Sequence, residues 1–437
     1  MNKFITTIKN IFAIEDLRAR ILNTLFFIAI YRLGSFVVLP GVDPARLKTG
    51  AEGLFGILDT LLGGAFSNAS IFALGIMPYI SASIVLQLLT IAVPYFQKLQ
   101  KEGESGRKKI NQYTRILTIP IVLAQSVGFI ATINAEAIIN PGTFFTVSTM
   151  IIITAGTLFC MWLGEKITDK GIGNGISMII MIGIVSRFPG AIIGEAAAKG
   201  VNKSLIFLLE MVVLFLVIMA VIVLTQAVRR IAVQYAKQVG GTTQLDAQRQ
   251  FIPLKVNAAG VMPIIFAQSL MFVPAIVASA WKNSDTANYI GVKFSDYTSW
   301  EYNLVFATLI IVFTYFYTAI SVNPNQIADD LKRSGGFVPG VKPGADTSEF
   351  IDEILTRITL PGAVALALIA IFPAFALLLG VTRPFSAFYG GTSLIIMVGV
   401  VLDTVNQVQS YLLMQHYDGM MKWGKLRGRA ENVALAS

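Results

Sequence analysis

The sequence predicts an all-α integral membrane protein of ten transmembrane helices, arranged as two halves of five. Three observations lead there. Of 437 residues, 55% are hydrophobic and only 14% are charged, against about 25% charged in an ordinary soluble domain. Apolar runs of about 20 residues, the length that crosses a bilayer core, recur along the chain. Lysine and arginine collect in alternate connections between those runs, as they do in polytopic proteins.

The chain opens with MNKFITTIKNIFAIEDLRAR, which lacks the pattern of a cleaved signal peptide. Phe4, Ile5, Ile8, Ile11 and Phe12 recur at helical spacing among Lys3, Lys9 and Arg18. They predict an amphipathic helix lying at the membrane surface. Hydropathy then places spans near 21–39, 71–94, 114–135, 147–164, 175–187, 205–226, 258–280, 304–322, 358–379 and 391–414. The fifth is the weakest, because its apolar core ISMIIMIGIV is short and Arg187 follows it.

The termini together with loops 95–115, 165–175, 227–257 and 323–357 carry 25 basic residues, and the other five loops carry 8. Arg32 lies inside the first span. The basic set is expected to be cytoplasmic, with both termini. Each half of five spans begins and ends on opposite sides, so two similar halves in tandem are inverted relative to one another. The division expected is 1–190, an external hinge at 191–204, and 205–437. Segment 53–70, GLFGILDTLLGGAFSNAS, is apolar but too short to span. It is either an external loop helix or a re-entrant element sheltered in a cavity, because irregular backbone at membrane depth survives only inside protein or water.

Several classes are disfavoured. A single cysteine, Cys160, excludes an internal disulfide, and a single histidine, His416, excludes the usual histidine-rich metal and histidine-dependent catalytic sites. Gly424-Lys425 lacks the glycine pattern of a P-loop. GIGNG at 171–175 joins two membrane helices and reads as a tight turn. No catalytic residue, metal or cofactor is expected. Glu165 and Arg187 lie at span ends, Glu210 lies within the sixth span, and Asp403 lies near the middle of the tenth. One costly acid is a thin basis for ion coupling, yet an inverted-repeat secondary transporter of a small solute is the competing reading. The net charge of +9 suits basic cytoplasmic loops, anionic lipid or RNA.

The stretch GIMPYISASIVLQLL, 75–89, combines a spanning run with polar groups. Ile76 and Ile80 fall on one helix face, and Pro78 between them predicts a kink. Ser81, Ser83 and Gln87 place polar groups at depth, matched by Gln125 and Ser126 in the third span and Gln268 and Ser269 in the seventh. Such groups face other helices or a water-filled path.

GGAFSNASIFALGIMPYISASIVLQLLT, KEGESGRKKINQYTR, MWLGEKITDKGIGNGIS, PLKVNAAGVMP, ADDLKRSGGFVPGVKPG and YGGTSLIIMVGVVLD, in order between residues 63 and 403, resemble the SecY/Sec61-alpha family of protein-translocase channel subunits. The resemblance implies an hourglass pore between two five-span halves, and no enzymatic activity. It carries a pore ring onto Ile76, Ile80, Ile180, Ile265 and Ile396. It carries a plug onto 54–68, with Leu58, Gly63 and Gly64, the glycine pair acting as a hinge. A lateral gate falls on spans two and three against seven and eight, with Ser81, Gln87, Gln125 and Gln268. Docking surfaces fall on loops 227–257 and 323–357, with Arg229, Arg230, Phe337 and Lys342, and Val338 beside Phe337. The partners implied are SecE and SecG, the motor ATPase SecA, the ribosome, signal sequences and nascent chains, and the setting is the bacterial inner membrane. Lys342 departs from the family's usual arginine, and loop 227–257 is poorer in arginine than the family leads one to expect.

Overall fold

The computed structural model describes residues 14–47, 59, 62–133, 135–200, 203–235, 250–268, 270–271, 293, 296 and 298–423. The amphipathic helix expected before residue 14 and position Leu58 lie outside them.

Helix α1, Glu15–Gly34, buries Leu17, Thr24 and Tyr31, spaced seven apart on one stripe. Leu22, Leu25, Phe26 and Leu33 stay exposed. That is the pattern of a helix with a single protein-facing side and lipid elsewhere. Residues 62–76 return as irregular backbone, with Leu62, Ala65, Phe66, Ala69, Phe72, Ala73 and Leu74 all buried. The Leu39 amide donates to the Ala69 carbonyl and the Ile71 amide to the Val37 carbonyl, each at 2.9 Å. Phe66 meets Phe129 edge-on, with centroids 4.9 Å apart.

Helix α2, Met77–Ala92, is followed by α3, Pro94–Lys101. The two cross at 101°. Val93 between them is extended, as the residue before a proline prefers. Then come α4 (Glu104–Thr132), α5 (Thr143–Lys170), α6 (Gly175–Lys199) and α7 (Ser204–Gln226). Helix α6 runs well past the expected fifth span and through most of the expected hinge. Only residues 200–203 separate it from α7. It continues because Arg187 finds an anionic partner, described below, and because Pro189 is accommodated inside the helix.

The turn 171–174 that starts α6 is held from several sides. The Ile172 amide donates to Thr24 Oγ1 at 3.0 Å, the Gly173 amide to Gln407 Oε1 at 2.9 Å, and the Gly175 amide to Thr168 Oγ1 at 2.9 Å. Asn174 caps the helix by accepting from the Ser177 amide. The GIGNG motif is thus a tight turn tied to the first and last spans.

Strands β1 (Val228–Tyr235) and β2 (Gln250–Lys255) follow α7. Further on lie α8 (Trp300–Ser321), α9 (Pro324–Arg333), β3 (Gly336–Phe337), α10 (Ala345–Leu378), α11 (Arg383–Ser386) and α12 (Gly391–Trp423). Among the described residues, seven helices, namely α4 to α8, α10 and α12, are each long and apolar enough to cross a membrane, and the bent pair α2–α3 makes an eighth if counted as one span. Helix α1 carries Arg18, Arg20 and Arg32. The remaining expected span, 258–280, is described only in part, with helix at 262–268.

Candidate functional site

Helix α2 starts at Met77, with Pro78 in its first turn, where a missing amide proton breaks no helical bond. The kink expected at Pro78 is therefore absent, and the chain bends at Val93 instead. Ile76 is the cap residue, and the Ile80 amide donates to its carbonyl at 3.1 Å. The two isoleucines thus follow one another by a single turn. Both are buried in an apolar cluster with Tyr31, Phe72, Ile84 and Phe266. Ile180 of α6 and Ile265 of the 262–268 helix pack against this cluster. The same two pack against a second cluster that holds Ile396 of α12 with Met178 and Val400. Four separate elements thus bring the five isoleucines to the junction of two adjoining clusters. Their side chains carry no hydrogen-bonding group, so a constriction made of them offers water and ions nothing to bind.

Asp59 and residues 62–67 carry a separate set of polar contacts that ties them to α1 and α6. Asp59, 8% exposed, uses both carboxylate oxygens. Oδ2 pairs with Arg187 Nη2, and Oδ1 accepts from the Ser67 amide at 2.8 Å. The same Arg187 nitrogen donates to Ser67 Oγ at 2.9 Å. From α1, Arg32 Nη1 donates to the Gly63 carbonyl at 2.8 Å. Gly63 and Gly64 adopt φ of +65° and +92°. A Cβ on Gly64 would stand 2.6 Å from Arg187 Nη2, and one on Gly63 would stand 2.8 Å from Gly183 Cα. Left-handed backbone and close approach are reasons for glycine at both positions, independent of any hinge motion. Sequence reasoning missed the Asp59–Arg187 pair. Its signal was an acid inside an otherwise apolar segment and an unexplained arginine in the fifth span.

The polar residues of spans two and three find local partners. Ser81 Oγ donates to the Met77 carbonyl and Gln87 Nε2 to Ser83 Oγ, both within α2. Gln125 is half-buried on α4. Gln268 is buried and lines a cavity with Tyr302, Asn303 and Phe306. The contact that joins α2 to the 262–268 helix and α8 is apolar and aromatic. Ile80, Ile84 and Phe266 share a cluster to which Phe313 and Tyr317 pack. The ring centroids of Phe313 and Tyr317 lie 5.5 and 6.1 Å from that of Phe266.

Loops 227–257 and 323–357 join into one small unit. The three strands pair in the order β2-β1-β3, with Ile231 opposite Ile252 and Gln234 opposite Phe337. Ile231, Val233, Leu254, Leu331, Val338, Ile351 and Leu355 form its core. Val338, expected beside Phe337 on a binding surface, is 4% exposed and belongs to that core, whereas Phe337 is 37% exposed. Phe337 ends β3 on its exposed side, and Val338, just past the strand, turns into the core. Arg229, Arg230 and Lys342 are exposed.

Other ionisable groups at depth have simple roles. Glu165 pairs with Arg115 at 2.7 Å, and Glu210 pairs with Lys199 at 2.9 Å. Asp403 stands exposed on α12. Among the described residues no three His, Cys, Asp or Glu side chains gather as a metal site would need.

Long apolar helices, a tucked irregular segment and two adjoining aliphatic clusters define a polytopic α-helical membrane protein with a buried apolar seam between its helices. A sequence model of the SecY family matches residues 70–405. The protein translocase subunit SecY of Streptomyces coelicolor is 41% identical over 96% of this chain and 100% of its own length. That of Bacillus licheniformis is 44% identical over 95% and 99%. That of Escherichia coli K12 is 42% identical over 94% and 96%. The chain belongs to the SecY family. Among solved structures, one described as a protein conducting channel aligns over 90% of this chain and 92% of its own, with TM-score 0.62 and 16% identity. Sec61 in a canine ribosome–channel complex aligns over the same shares with TM-score 0.58 and 15% identity. Membership of the family of protein translocase subunits removes the competing reading of a small-solute transporter.

Proposed function

We propose that this chain is the pore subunit of a protein-conducting channel, moving unfolded polypeptides across a membrane and releasing apolar helices sideways into lipid. The chain is a multi-pass channel subunit rather than an enzyme. The observation that carries this reading is the meeting of Ile76, Ile80, Ile180, Ile265 and Ile396 across two adjoining clusters. Branched aliphatic side chains seal by dewetting and can part around an extended chain of any sequence. Residues 54–68 act as a plug on the outer side of the collar. What supports this is the buried, irregular path of residues 62–76.

Release into lipid takes place where α2 meets the 262–268 helix and α8. Phe266, Phe313 and Tyr317 close that seam by packing, and Ser81, Gln87, Gln125 and Gln268 supply polarity near it. An apolar signal helix can replace such contacts with its own. The sheet bearing Arg229, Arg230, Phe337 and Lys342 is the docking surface for the motor ATPase SecA and for the ribosome. The small subunits SecE and SecG accompany the chain in a bacterial inner membrane, with both termini cytoplasmic.

The experiment is conductance of the purified complex in planar bilayers. Ile80→Gly combined with Ile180→Gly opens the collar and raises resting ion conductance. Conductance equal to wild type would remove the collar from the function assigned to it.

A further inference from the structure

We propose that Asp59 and Arg187 form an electrostatic latch that holds the plug in its closed seat, with Arg187 as the positioning residue and Arg32 as its second anchor. This rests on the reading of residues 54–68 as a plug. A plug built only of apolar and small residues would be kept in an apolar funnel by burial alone. The turn 59–67 is built differently. Its one carboxylate is almost fully buried, and a buried charge is tolerated only when paired and hydrogen-bonded. Both oxygens of Asp59 are satisfied, one by Arg187 and one by the Ser67 amide. Arg187 also holds the Ser67 hydroxyl. The Gly64 amide donates to the Asp59 carbonyl at 2.9 Å, closing the turn on itself. One guanidinium therefore holds Asp59 and Ser67 together, and a second, from α1, holds Gly63 between them.

The geometry points to reversibility. The Arg187 side chain is 41% exposed, whereas that of Asp59 is 11% exposed. The arginine is thus the open side of the pair and the acid the enclosed one. When the turn leaves its seat, hydration replaces the pair on both sides. The latch therefore adds to the closed state without making it permanent. The glycine pair fits the same device, because any side chain at Gly64 would strike the Arg187 guanidinium. Two arginines from α1 and α6 converge on one short turn with a single acid. Neutralising that acid leaves two cations against the turn, so both the attraction and the compensation are lost together.

The test uses the full-length chain in its purified complex, reconstituted in planar bilayers. Four variants are compared with wild type: deletion of residues 57–67, Asp59→Asn, Arg187→Gln, and the last two combined. The deletion is expected to give the largest resting conductance. Each single neutralisation is expected to raise resting open probability about tenfold, equivalent to about 1.4 kcal/mol. The combination is expected to match either single variant rather than their product, the signature of one shared interaction. If Arg187→Gln does not fold, Asp59→Asn carries the same expectation alone. Singles at wild-type conductance beside a leaking deletion would overturn the latch and leave the plug standing. Multiplicative effects in the combination would also overturn it. A deletion that does not leak would remove the plug reading and the latch with it.

Discussion

Lys199 Nζ lies 2.9 Å from Glu210 Oε1, joining the last turn of α6 to the second turn of α7 across the short link between them. The same ammonium donates to the Gly380 carbonyl at 2.8 Å and sits 3.5 Å from Glu195, which is fully buried. Glu195 also accepts from the amide and hydroxyl of Thr382, before α11. The end of α6 is therefore tied to α7 and to the segment before α11 by a compact ionic clasp. Lys199→Met strands two buried carboxylates. Removing one partner of a buried pair costs about 3 kcal/mol or more. The melting temperature of the purified protein is expected to fall by several degrees, while Glu210→Gln, which keeps a neutral acceptor for Lys199, is expected to lower it less. Equal stability of Lys199→Met and wild type would contradict the clasp.

Gly64→Ala introduces two problems at one site. The residue keeps φ +92°, and left-handed backbone costs a non-glycine residue roughly 1–2 kcal/mol. The new methyl also meets Arg187 at 2.6 Å. Resting conductance is expected to rise, because the arginine must swing away from Asp59. A flexible hinge would instead be stiffened by alanine, and conductance would fall. The direction of the change separates the two accounts.

The sheet offers a paired comparison of neighbours. Val338→Ala removes about two buried carbon groups, worth about 1.6 kcal/mol at roughly 0.8 kcal/mol each, and is expected to destabilise the three-stranded unit. Phe337→Ala removes an exposed ring and is expected to leave stability unchanged while weakening partner binding. Limited proteolysis between residues 227 and 357 reads the first effect, and co-sedimentation with SecA or ribosomes reads the second. Greater proteolytic sensitivity in Phe337→Ala than in Val338→Ala would reverse the assignment.

Lys342→Glu inverts one exposed charge on the same unit without touching its core. Motor-driven export is expected to stop, with the protein still folded and inserted. Export assays in inverted vesicles, with protein abundance measured beside them, check this. Normal export would remove Lys342 from the docking surface.

How much of this was legible in the sequence follows from where the information sits. Helices such as α7 and α10 announce themselves, because an apolar run needs no tertiary partner to be recognised. Hydropathy makes the fifth span too short, because Arg187 interrupts its apolar run. Its charge is offset by Asp59, 128 residues away in sequence, and hydropathy cannot see such a partner. Sequence pattern alone gives the sheet as loops. Its strands are short, its partners come from two separate segments, and Ile231 and Val233 become core only once Leu331 and Leu355 arrive. Pro78 was read as a kink because composition does not say on which residue a helix begins. The five isoleucines are singled out by family resemblance alone, since nothing in their own sequence neighbourhoods distinguishes them from the many that face lipid or packed helices.

The most direct measurement of whether a polypeptide threads this collar is a disulfide map. A translocating chain carrying one cysteine is halted midway in channels bearing Ile80→Cys, Ile265→Cys or Ile396→Cys. Leu22→Cys, on the exposed side of α1, serves as the control. The native Cys160 is buried and contributes little background. Cross-links at all three collar positions and none at residue 22 are the predicted result. Cross-links at residue 22 with none at the collar would contradict the account.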